Sequence, residues 1–200
     1  MDSDSAQMQS TLLTVHKGVD LHAATAVRVL RDRIEGGARL VRLARAECHT
    51  FWSSPEAAAE RAAALLEIGR IFNPNKHRYG RFALSGSAAR RPDDADGGSA
   101  LPEAWPGEPV ASDLSVAADL YDLLLGGRAD RARGELAIDV HAWPLEQNEE
   151  PSSGLVWRLV LRPEEDDPRR LAQQLIVTRS RRAGLLVNPH MESWRWIVRR

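Results

Sequence analysis

The chain has one cysteine, Cys48, among its 200 residues, and Lys17 and Lys76 are its only lysines. A lone cysteine excludes an intrachain disulfide and any zinc site built on paired thiolates. Long hydrophobic runs are missing as well. No stretch approaches the roughly 18 apolar residues that suggest a membrane span, and residues 1–9 lack the apolar centre of a signal peptide. A formal net charge of -1 gives no global excess of basic charge for nucleic acid, and no charged tail stands out. Gly-x-Ser-x-Gly, a phosphate loop and Gly-x-Gly-x-x-Gly are all absent. These absences lead to the expectation of a soluble, cytoplasmic protein with no catalytic, cofactor or metal constellation.

What is present is ordinary globular material, 43% hydrophobic and 28% charged. Residues 1–10 read as a disordered N-terminus. Leu12, Leu13 and Val15 begin a short strand, and Ala23, Val27, Leu30 and Ile34 then fall on one helical face before Gly36-Gly37. A long extended stretch from Leu40 to Trp52 follows. Ser54-Pro55-Glu56 is a helix start, with serine as cap, proline at the first helical position and glutamate at the positive dipole end. Residues 85–111 carry Gly, Ser and Pro without periodicity and read as a linker. Beyond it, Ala117, Leu120, Tyr121 and Leu124 keep helical spacing. Leu136, Ile138, Val140 and Ala142 alternate with Asp139 and His141, the pattern of a half-buried strand. Leu155, Trp157, Leu159 and Leu161 give its partner. Asp167-Pro168 predicts a second capped helix, running to about Arg182.

One signal occurs twice. Ile71-Phe72-Asn73-Pro74 leads into Tyr79, and Leu186-Val187-Asn188-Pro189 leads into Trp194. Proline cannot extend a helix ladder and disfavours helix in the residue before it, so each pair reads as a helix stop before a closing strand. The chain therefore reads as an α+β protein of two tandem ferredoxin-like units, at 11–84 and 112–200, with helices packed on antiparallel or mixed sheets.

The first unit resembles PurS, the small subunit of bacterial phosphoribosylformylglycinamidine synthase. The resemblance rests on His16-Lys17-Gly18-Val19-Asp20 after the first strand, Ala26-Val27 and Leu30 in the first helix, and Val41-Arg42 opening the long strand. Ile71-Phe72-Asn73-Pro74 with Tyr79 matches the family's ending, and Leu185-Leu186-Val187-Asn188-Pro189 with Trp194 matches it more closely. The chain departs from the family at Asp20-Leu21-His22-Ala23, where Asp-Pro-Gln-Gly is usual. The resemblance implies a non-catalytic assembly subunit whose partners are a glutaminase and a synthetase of purine biosynthesis.

Two groups of residues are candidates for contact with a partner or ligand. Asn73, Lys76 and His77 match Asn188 and His190 at equivalent turns and are placed to converge on one ligand; alternatively the two asparagines only cap helices. Trp194 and Trp196, with Trp143, Trp157 and neighbouring arginines, form the second group. Strand-mounted aromatics of this kind stack single-stranded bases, so a nucleic-acid-binding module is the alternative to the assembly subunit; core packing is the simpler role. A small-ligand enzyme with its site between the halves is a third reading. Cys48 and His49 are adjacent on a strand and point to opposite faces, which rules out a local nucleophile–base pair. The carboxylates of 146–150 and 164–167 lie in loops and read as a solvated surface.

Overall fold

The computed structural model describes residues 8–54, 57–85, 108–109, 124–126, 131–145, 151–162 and 168–197. The expected helix at 117–124, apart from Leu124, and most of the linker lie outside these, as does Trp105. The described elements are β1 (Met8–His16), α1 (Leu21–Arg33), β2 (Leu40–Ser53), α2 (Ala58–Glu67), β3 (His77–Ser85), β4 (Glu108–Pro109), β5 (Leu136–Pro144), β6 (Ser152–Leu161), α3 (Pro168–Ile176) and β7 (Glu192–Ile197). All strands join one antiparallel sheet in the order β4-β3-β1-β2-β6-β5-β7, with the two residues of β4 at one edge. The protein is thus α+β.

Local chemistry explains most of the first half. Asp20 caps α1, its carboxylate accepting from the backbone N–H groups of His22 (2.9 Å) and Ala23 (3.1 Å). Gly36 follows the helix with φ 78°, a left-handed conformation that costs a residue without a Cβ little. A bulge between Leu40 and Arg42 interrupts the β2–β6 ladder, and Arg31 covers it by donating to the carbonyls of Leu40 (2.9 Å) and Val41 (2.6 Å).

β2 is the spine of the molecule. Its 14 residues pair with β1 on one side and with β6 on the other. Across that β2–β6 seam the strand order repeats in mirror sense: β3, β1, β2 on one side, then β6, β5, β7 on the other. The registers agree residue by residue. Tyr79 and Trp194 stand at the same step after their Asn-Pro turns, and they pair with Thr14 and Ala142 respectively. Thr14 in turn pairs with Glu47, and Ala142 with Leu155, while Glu47 and Leu155 pair with each other across the seam. A two-fold axis normal to the sheet at the Glu47–Leu155 pair would carry each of these strands onto its counterpart. The sides differ in that β1 and β2 are joined through α1, whereas β5 ends at Pro144 and β6 begins at Ser152, and only β3 is met by a further short strand, β4.

The helices α1, α2 and α3 cover one face. α2 packs Ala62 and Leu65 onto Leu12 and Phe51. Ala23 and Leu30 of α1 and Leu171, Leu175 and Ile176 of α3 share a larger core with Leu43, Val140, Trp157, Leu159, Trp194 and Trp196. The opposite face is buried too. Leu124 and Leu125 pack there against Leu13, Val15, Ala46, Cys48 and Val156.

Four expectations need correction. Residues 8–10 are not part of a disordered tail, because β1 begins at Met8 and its first residues pair with Phe51–Ser53 of β2. The helix expected to reach Arg182 stops at Ile176. From there Val177 bridges Val187 in parallel, and Gly184 turns at φ 73° under the Val177 carbonyl, where a Cβ would collide at 1.8 Å. Neither Asn-Pro pair ends a helix, since α2 and α3 stop before their turns are reached. Finally, β5 is buried on both faces: Asp139 is 2% exposed and His141 3%. The alternation of types there marks two interiors, one apolar and one that holds polar side chains beside Trp143 and Val156.

Candidate functional site: two pockets beside the seam

The two Asn-Pro turns share one hydrogen-bond plan. The Asn73 carbonyl accepts from the N–H groups of Lys76 (3.0 Å) and His77 (2.8 Å), and the Asn188 carbonyl from those of Met191 (3.0 Å) and Glu192 (2.8 Å). Each carboxamide oxygen accepts from the backbone two residues on, Asn75 at 2.9 Å and His190 at 3.1 Å. Each asparagine N–H then donates to the side chain four residues on: His77 Nδ1 at 3.2 Å in the first turn and Glu192 Oε2 at 2.8 Å in the second. The asparagines fix the entry to β3 and β7, and neither of them caps a helix.

Nor do the turns converge. Four strands separate β3 from β7, a distance on the order of 25 Å at ordinary strand spacing. Lys76, Asn188 and His190 are exposed at these separate corners. Trp194 and Trp196 are 5% and 7% exposed and stack edge to face at 5.2 Å inside the core. Trp143 (3%) and Trp157 (6%) are also buried, on opposite faces of the sheet. No face among these tryptophans is open for a base to stack on, so core packing is their role.

Of the predicted contact residues, His77 lines a pocket. It sits with Thr14, Val15, His16, Asp20, Arg45 and Glu47 around a space of about 10 Å³, enough for about one water. The space is small because charged side chains fill it. Arg45 Nε donates to Asp20 Oδ2 at 2.9 Å, and Arg45 Nη2 lies 3.8 Å from Glu47. The His16 and His77 rings meet edge to face at 4.8 Å. Burial works to raise the Asp20 carboxyl, but the Ala23 N–H, Arg45 and the His22 N–H outweigh it and hold the group below its ordinary 3.8.

A second and larger pocket, about 270 Å³, lies across the seam and is lined by Glu47, His49, Ala142, Pro144, Ser153, Gly154, Leu155 and Glu192. Periodicity gave no sign of it, because its walls come from four strands that only the long-range register brings together. His49 is one of the lining residues, 6% exposed, with Nδ1 at 3.0 Å from Ser153 Oγ. The other ring nitrogen, Nε2, is buried with no hydrogen-bond partner among the described residues. Desolvation lowers the His49 pKa from 6.5; Glu47 opposes this and Arg70 adds to it. No group of three or more metal-binding side chains occurs among the described residues.

His77 is lowered from 6.5 as well, by desolvation first and then by His16, with further contributions from Lys76 and Arg45 that Glu47 opposes. In both histidines the folded protein favours the neutral ring more than the unfolded chain does. Stability is therefore fully present above pH 6.5 and is lost as pH falls through the depressed folded values. Urea denaturation from pH 8 to pH 5 should show this decline, and the double variant His49→Gln/His77→Gln should flatten it. An identical decline in the double variant would contradict the assignment.

No helix among the described residues is long and apolar enough to cross a membrane. Comparison with family models, with curated proteins and with solved structures finds no match to this chain.

Proposed function

We propose that the chain is an assembly or adaptor subunit rather than a catalyst, made from two tandem copies of a ferredoxin-like, PurS-like unit fused into one polypeptide. The observation that carries this reading is the register across the seam, where β3-β1-β2 and β6-β5-β7 are related about the Glu47–Leu155 pair. The shared hydrogen-bond plan of the Asn73 and Asn188 turns supports it independently. A unit of this size is marginal alone, since it buries too little of its surface, and pairing it with a second copy through a continuous sheet overcomes that. Such a sheet keeps two outer edges for other proteins. β7 carries no further strand among the described residues, and β3 is met only at Leu84 and Ser85. On this reading its partners are a glutaminase and a synthetase of an amidotransferase complex of the purine-biosynthesis type. The buried tryptophans do not favour the nucleic-acid alternative. The tagged full-length chain, purified from its native host under mild salt, should bring both subunits with it. A solitary monomer that turns over a substrate unaided would overturn the proposal.

A further inference from the structure

The two pockets occupy corresponding positions. The registers place Thr14 opposite in role to Ala142, His16 to Pro144, Arg45 to Ser153, Glu47 to Leu155 and His77 to Glu192. Those five residues line the first pocket, and their five counterparts line the second. The first is filled from within, by a guanidinium held between the carboxylates of Asp20 and Glu47. In the second a short serine takes the place of that arginine and alanine that of the threonine. The space opens from about 10 to about 270 Å³ and keeps acidic walls, Glu47 at the seam and Glu192 at the β7 corner.

We propose that this second pocket binds a small organic cation bearing a guanidinium group, which takes the place that Arg45 fills in the first. Glu47 and Glu192 supply the counter-charge. A planar guanidinium carries several N–H donors, which the carboxylate oxygens of Glu47 and Glu192 on the pocket wall are able to accept. Leu155, Pro144 and Ala142 give an apolar wall for an alkyl stem. The lowered pKa keeps the His49 imidazole neutral near pH 7, so it does not repel the cation. The volume is at the lower end of ordinary ligand sites and suits a short-chain molecule.

Agmatine, a guanidinium on a short alkyl amine, is the probe, and citrulline, a zwitterion whose uncharged ureido group stands where a guanidinium would, is the comparison. Calorimetric titration of the full-length chain at pH 7.5 should give saturable one-to-one agmatine binding, at least about tenfold tighter than citrulline. Glu192→Gln keeps an acceptor for the Asn188 N–H and removes the charge; it should weaken agmatine by about tenfold or more without unfolding the protein. Ser153→Arg places in the second pocket the residue that fills the first, and it should abolish binding. Should Ser153→Arg fail to fold, Glu192→Gln and citrulline still decide the matter. Equal affinity for agmatine and citrulline, affinity unchanged in Glu192→Gln, or no binding at all would overturn the proposal. None of these outcomes depends on whether the protein assembles with other subunits.

Discussion

Replacing Arg158 with alanine should destabilise the protein by about 3–5 kcal/mol, the cost of breaking a buried ion pair by removing one member. Arg158 is 0% exposed and Asp139 2%, and they pair across β6 and β5 through Nε–Oδ1 at 2.7 Å and Nη2–Oδ2 at 2.9 Å. This two-pronged geometry suits a guanidinium and a carboxylate, and it sits in the face of the sheet opposite the helices. Desolvation of the two ions offsets much of their attraction, so the pair as a whole contributes little net stability. Removing one member alone is what is costly. The double variant Arg158→Met/Asp139→Leu should therefore recover most of the loss, which distinguishes a broken ion pair from a simple cavity. Urea midpoints for the wild type, Arg158→Ala and the double variant provide the check. A single-variant loss within about 0.5 kcal/mol, typical of a surface site, would contradict the burial.

Trp194→Ala should cost a similar amount, about 3–5 kcal/mol, by opening a cavity under α3 and removing the edge-to-face contact with Trp196. Trp194→Phe, which keeps most of the buried area, should cost far less. The pair of substitutions also separates packing from base stacking. If Trp194→Phe left stability near wild type yet abolished salt-sensitive binding of a single-stranded oligonucleotide, the assignment of Trp194 to the core would be wrong.

These two residues show which parts of the molecule are legible in its sequence. Asp20 before a 3.6-residue stripe and Gly36 behind it mark α1 closely, because a helix signals its ends through short-range chemistry. The strands β2, β5 and β6 announce themselves through extended apolar content. The reading fails where burial is decided by distant chain. Asp139, His141 and Arg158 alternate with apolar neighbours and look like a solvent face, but that face is covered, with these polar side chains inside. The end of α3 is misread for a related reason. Apolar residues run on beyond Ile176, and they serve a bridge between Val177 and Val187 rather than another helical turn. The repeated Asn-Pro turns are visible in the sequence, but their role is not: the carboxamides satisfy their own turns, and the turns sit at opposite corners of the sheet. The larger pocket leaves no local trace, since Glu47, His49, Ser153 and Glu192 meet only through the pairing of β2 with β6, β6 with β5 and β5 with β7.

The β2–β6 pairing is also where the account can be tested most directly. Cross-strand Hα–Hα and amide NOEs in a uniformly labelled sample would read the seam register without reference to function. The account predicts contacts following Leu43–Leu159, Arg45–Trp157, Glu47–Leu155 and His49–Ser153, with the β2 and β6 amides among the slowest to exchange. Absence of these contacts, with rapid exchange along one edge of β2, would mean that the halves do not share a sheet, and the related pockets and the fused-unit reading would fail with it.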